Sequence, residues 1–337
     1  MIAHRVRNVV TATFMTTLIG LALSACGPPP QPSAPSRPKV EAPPPEPTRP
    51  PLTRRATLRY ELNNRSFPLP VVHGAVAGHE TWMLVDTGAN SHVVAGWFAR
   101  KHGMPMAKLG DVGTDHVGKS IATYRLERPN VVIDQWGPLN EGPMLVTDVP
   151  ALIEKLGIGA FISPQRLTEE GDAVVLDLAA GEVRAAYYDD AMHALGAGAT
   201  LVAPGARACE DTESPIKGLA FVLPGTIEGR TVDLLVDTGA QRSDILAGSA
   251  AGKALAPSSV PNKEQMFGAS GRLISRTLKG AHIVVGELAI ASDVDLLPGA
   301  ADPFCPRDGV VSMDVLRACV LVLGRTQMYG RCRSGAK

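Results

Sequence analysis

From residue 56 onward the apolar positions fall in short runs, such as Trp82-Met83-Leu84-Val85 and Leu234-Leu235-Val236, each cut off by Gly, Pro or Asp. Runs of four to eight residues rich in Val, Leu and Ile with turn residues at both ends predict strands. Helical periodicity is scarce and predicts only short helices, at 93–102, 149–156, 185–194 and 312–317. The expectation is therefore an all-β fold. The start of the chain has a different pattern. Residues 9–25 are an uncharged apolar run behind Arg5 and Arg7, and residues 27–51 hold 12 Pro in 25 positions, a composition that cannot bury a core.

The strand pattern occurs twice. Residues 70–94 laid on residues 221–245, an offset of 151, agree at Val71, Gly74, Gly78, Leu84, Val85, Asp86, Thr87, Gly88 and Ala89 without a gap. The match continues with Gly118-Lys119-Ser120-Ile121 on Gly271-Arg272-Leu273-Ile274 and Val131-Val132-Ile133 on Val284-Val285-Gly286. It ends with Phe161-Ile162-Ser163-Pro164-Gln165-Arg166-Leu167 on Val310-Val311-Ser312-Met313-Asp314-Val315-Leu316. A period near 150 residues is too long for a solenoid and implies two homologous lobes, expected at 56–195 and 200–337, with a hinge at Gly196-Ala197-Gly198-Ala199.

Each copy places a carboxylate, Asp86 or Asp237, at the end of an apolar strand, a costly position unless the group is held. If the lobes pack about a pseudo-twofold axis the two carboxylates meet, and like charges a few ångströms apart share one proton. Such a pair activates water: the ionised member is the general base, and the protonated member donates to the carbonyl oxygen of an amide. Thr87 and Thr238 supply hydroxyls to brace the opposite loop, and Gly88 and Gly239 allow close backbone approach.

With these motifs in place, residues 56–330 resemble the aspartic peptidases of the pepsin and retropepsin type. The resemblance implies two β-barrel lobes with a cleft between them, Asp86 and Asp237 as catalytic dyad, and Thr87, Gly88, Thr238 and Gly239 as its support. It also implies flaps over substrate at the turns near Gly118 and Gly271. Ala89 and Ala240 resemble the retroviral and bacterial form, which implies a less acidic working range than pepsin's. Ser163 and Ser312 replace the glycine of the family's apolar-apolar-Gly segment and bring a Cβ to a place where backbone is usually bare. The function implied is an aspartic endopeptidase that needs no cofactor or metal and acts on peptide or protein substrates as a monomeric pseudo-dimer. The alternative is a catalytically silent peptide-binding envelope lipoprotein on the same fold.

The charged start, apolar core and small residues before Cys26 predict an export signal over 1–25. Leu23-Ser24-Ala25-Cys26 resembles a lipobox, which implies lipidation of Cys26 and a bacterial envelope location, the outer membrane by the same resemblance. Residues 26–55 then form a tether, extended at roughly 3.1 Å per residue. Cys209, Cys305, Cys319 and Cys332 predict two disulfides in an oxidising compartment, with three pairings open. The 33 basic and 33 acidic side chains cancel, which argues against a nucleic-acid partner. The eight His show no metal-ligand spacing, and neither a Gly-x-Ser-x-Gly elbow nor a dinucleotide-binding glycine loop is present. Asp111, Asp115, Asp134 and Asp177 are expected in turns.

Overall fold

In the computed structural model of the chain, residues 49–333 are described, apart from 116, 140–141, 169–170, 203–204, 212–215, 263–265, 269–270 and 301–304. The expected signal and lipidation at Cys26, and all but the last residues of the expected tether, lie outside the described residues. Strands dominate the rest, so the fold is all-β.

The repeat is carried into backbone geometry. Strand Arg65–Val76 turns back into strand His79–Val85 through Ala77 (φ 51°) and Gly78 (φ 80°), and Gly218–Ile227 into Arg230–Val236 through Glu228 (φ 50°) and Gly229 (φ 71°). Two central residues with positive φ make the two-residue hairpin turn whose twist suits the flanking strands. The two return strands also share one order of burial, two exposed residues and then a mostly buried run to the Asp.

Beyond each Asp the topologies coincide. Strand Ile158–Ile162 runs parallel to His79–Val85 and antiparallel to Val93–Ala95; strand Gly309–Val311 runs parallel to Arg230–Val236 and antiparallel to Asp244–Leu246. These strands belong to a ten-stranded sheet in the first half and an eight-stranded sheet in the second. A third sheet of six strands joins the halves where Ala173–Asp177 pairs with Cys319–Gly324. One apolar core runs through both halves, with Val85, Val94 and Ile162 from the first and Val236, Ile245 and Val311 from the second.

The pairing moves one part of the sequence alignment by a residue. Gly74 faces Ile133 while Gly225 faces Val285, so Val131, Val132 and Ile133 correspond to Ile283, Val284 and Val285, not to Val284, Val285 and Gly286. A slip of one residue would have turned every side chain to the other face.

The helices are short: Gly96–Lys101, Ala151–Leu156, Tyr188–Ala194 and Met313–Leu316 fall in the expected stretches. Two of those stretches begin in strand, at Val93–Ala95 and Glu182–Ala186. A further helix, Ala250–Leu255, escapes the sequence pattern because Gly252 sits in its middle. The Ser249 hydroxyl caps it by accepting from Gly252 N (2.9 Å). The disulfides are Cys209–Cys305 and Cys319–Cys332, the second between facing residues of adjacent strands.

Candidate active site

Both Asp residues stand where a return strand ends against the strand that crosses beside it. Asp86 N donates to Ile162 O at 2.9 Å and Asp237 N to Val311 O at 3.0 Å, so each turn is tied to its own sheet. The following threonines tie the turns to each other. Thr87 N donates to Thr238 Oγ1 (3.1 Å) and Thr238 N to Thr87 Oγ1 (3.0 Å), while the hydroxyls donate to Val236 O and Val85 O, both at 2.7 Å. Both threonines are fully buried.

The glycines let the carboxyls meet. A Cβ on Gly88 would lie 2.5 Å from Asp237 Cγ, and one on Gly239 would overlap the carboxyl of Asp86, so each carboxyl rests on the bare backbone of the opposite turn. Only glycine fits there. Asp86 Oδ1 accepts from Gly88 N (2.9 Å) and Ala89 N (3.1 Å), and Asp237 Oδ1 from Gly239 N (2.7 Å).

Burial, the negative charge of Asp237 and a hydrogen bond with its side chain hold the Asp86 carboxyl well above the usual carboxylate range, against the pull of the Ala89 and Gly88 amides. The pair thus keeps one proton at a pH where isolated carboxyls have lost theirs.

A ring of residues that the sequence reading passed over fixes the two turns. Ser163 N donates to Nδ1 of buried His92 (3.0 Å), and at the matching place in the second half Ser312 N donates to Ser243 Oγ (3.0 Å). Asp314 accepts from Ser243 Oγ (2.7 Å) and Ser292 Oγ (2.8 Å). Its counterpart is Gln165, buried, whose Nε2 lies within hydrogen-bond distance of Thr87 O (3.1 Å), Ala89 O (2.9 Å) and Leu219 O (2.8 Å), so that it spans the two halves. The signal was present: Gln165 and Asp314 each sit two residues past the serines, and His92 and Ser243 are 151 apart. Gln165→Leu, which would leave these carbonyls short of a donor, is expected to lower stability by about 1–3 kcal/mol, read from the midpoint of urea unfolding.

Ser163 and Ser312 themselves are fully buried, with φ of −78° and −127°, values that any residue adopts. The backbone here does not require glycine, and the serine Cβ atoms are packed in place.

Gly118 (φ 81°) lies in the tip between strands Met106–Thr114 and Ser120–Leu126; Gly271 (φ 111°) opens strand Gly271–Leu273 of a hairpin with Met266–Gly268. The first tip is shaped by Asp115, whose Oδ1 accepts from Val117 N (3.1 Å) and Lys119 N (2.8 Å). It reaches the second half: a Cβ on Gly118 would come within 2.5 Å of Ala300 O, and Val117 packs with Leu246, Leu273 and Leu297. Asp177 likewise caps a turn through Ala180 N (2.8 Å), and Asp134 lies in a turn and pairs with His73 at 2.8 Å, but Asp111, also expected in a turn, lies within strand Met106–Thr114.

The first of the two Asp-Thr-Gly turns lies in a segment that matches a known family model. Residues 72–161 match the model of the family described as Aspartyl protease. The matched segment includes Asp86 and the Gly118 tip; Asp237 lies beyond it, reached through the internal repeat. No curated protein matches the chain. Among solved structures the chain is similar to the aspartic proteinase from Irpex lacteus, at 13% identity and a TM-score of 0.44, over 83% of this chain and 97% of that one.

Proposed function

We propose that this protein is an aspartic endopeptidase, with water as nucleophile and Asp86 and Asp237 as its dyad. The observation that carries the reading is the reciprocal lock of Thr87 and Thr238, which sets each carboxyl on the glycine of the opposite turn. A water held between the carboxyls gives its proton to the ionised one as its oxygen attacks the peptide carbonyl, while the protonated one donates to the carbonyl oxygen. Collapse of the resulting gem-diol breaks the C–N bond, a proton passes to the leaving amine, and the dyad again holds one proton. The Asp115–Lys119 tip, reaching the second half, would keep bulk water from the reacting centre. One chain supplies both carboxyls, so a monomer suffices.

The export signal, Cys26 and the proline-rich stretch support a lipid-anchored location in a bacterial envelope, in the outer membrane, with peptide or protein substrates at the far end of the tether.

The test is peptide-library cleavage by the full chain between pH 3 and 8, with products read by mass spectrometry and a statine-type transition-state mimic as competitor. Internal cleavage that the mimic suppresses supports the reading. A folded protein that binds the mimic but cuts nothing at any pH is a peptide-binding protein on a peptidase fold.

A further inference from the structure

Asp244 has no counterpart in the first half. The 151-residue offset puts it opposite Val93, and the pairing agrees: Val93 faces Phe161 as Asp244 faces Val310. Val93 and Phe161 are half-buried and apolar, whereas Asp244 is 4% exposed and its Oδ1 is buried with no hydrogen-bond partner. A buried carboxyl oxygen left unpaired is costly and calls for an explanation.

Its direction follows from the sheet. Residues two apart on a strand, and residues paired across strands, share a face. Asp244 therefore shares a face with Val310 and Leu246; Val310 packs beside Leu235, two residues before Asp237, and Leu246 packs under Val117 of the first-half tip. The carboxyl thus lies between the dyad and the tip that reaches across.

The charges around it are unevenly matched. Asp295, paired with Asp244 across the strands, accepts from Thr277 Oγ1 (2.7 Å) and Asn262 Nδ2 (3.2 Å) at Oδ1, and its Oδ2 has the Arg242 guanidinium at 3.2 Å as its charge partner. Asp314 is satisfied by its serines. Burial, then Asp237, Asp295 and Asp314, push the Asp244 carboxyl well above the usual range, and Arg307 only partly offsets them. The field at this oxygen favours a cation.

We propose that Asp244 is the specificity-determining residue of a substrate subsite on the second-half wall, beside Asp237, which receives a lysine or arginine side chain of the peptide. The matching subsite on the first-half wall, at Val93 and Phe161, takes an apolar side chain, so the pseudo-symmetric site reads its substrate in one direction. The incoming cation supplies the missing partner of Oδ1 and favours the ionised carboxyl. This inference rests on the peptidase reading only for the word substrate; the subsite can be tested by binding alone.

The experiment uses the full chain, Asp244→Val, which copies the first half, and Asp244→Asn, with thermal unfolding to show that each variant folds. Equilibrium binding is measured for paired non-cleavable reduced-amide peptides that differ only by lysine against norleucine at one position, scanned along the peptide. Cleavage of the parallel amide peptides gives kcat and KM. At one position the parent is expected to prefer lysine at least tenfold. Asp244→Val should lose that preference while binding the norleucine peptide within threefold of the parent, and Asp244→Asn should fall between. A parent without preference for lysine at any position, or a preference that survives in Asp244→Val, overturns the inference. Lysine preference that depends on Asp244 without any cleavage would sustain the subsite and remove the peptidase reading.

Discussion

Asp237→Asn is expected to leave the fold intact and to slow peptide hydrolysis by on the order of 10²–10⁴-fold, and Asp86→Asn should match it, because the reaction needs one base and one acid from the same pair. Mass spectrometry of a cleaved library reads the loss; retention of activity by either variant would remove the shared-dyad mechanism. The pair also shows in the pH dependence of stability. Burial and Asp237 raise the folded-state pKa of Asp86 above its unfolded value, so the native state holds the proton more tightly than the unfolded chain. The associated stability is present in full below the unfolded value, about pH 4, and is lost as pH climbs toward the raised one. Asn does not titrate. The melting temperature of Asp86→Asn relative to the parent should therefore rise between pH 4 and pH 7, and a flat difference would show that Asp86 is not the shifted group.

Thr87→Val should have the largest effect on stability. Valine has nearly the same shape, so the change isolates the hydroxyl, which donates to Val236 O and accepts from Thr238 N. Both backbone groups would be left buried and unpaired at about 1–3 kcal/mol each, so a loss of about 2–5 kcal/mol is expected by urea unfolding. Thr238→Val should cost about as much, since its hydroxyl holds Thr87 N and Val85 O in the same way. The four bonds form one network, so the double variant should lose less than the sum of the two. Activity should fall with stability in the single variants, because the same bonds set the spacing of the carboxyls. A Thr87→Val protein as stable as the parent would mean that water replaces the hydroxyl and that the lock is not what holds the halves.

Much of this was legible in the sequence because it is local or repeated. Asp86-Thr87-Gly88 and Asp237-Thr238-Gly239 each end an apolar strand, and turn residues such as Asp115 and Asp177 carry their own hydrogen-bonding reason. The offset of 151 also makes Gly78 and Gly229 equivalent, and both lie in two-residue turns. A repeat shows which positions are equivalent, and equivalent positions on a two-fold arrangement must meet somewhere.

Contacts between distant segments were not legible, since no local pattern encodes register between strands far apart in the chain. The pairing of Cys209 with Cys305 was one of three options until the strands were placed, and the alignment of Val131 changed by one residue once Gly74 and Gly225 had partners. Nothing local distinguishes Gln165; only the approach of the Thr87, Ala89 and Leu219 carbonyls makes it a clamp. Nothing in the residues around Asp244 marks it out. By itself the sequence determined a two-fold all-β chain with two carboxylates at matched strand ends. The tertiary structure decided that each carboxyl rests on the other's glycine and that Asp244 is buried with one oxygen left without a hydrogen bond, because burial and hydrogen-bond partnership depend on which segments pack together.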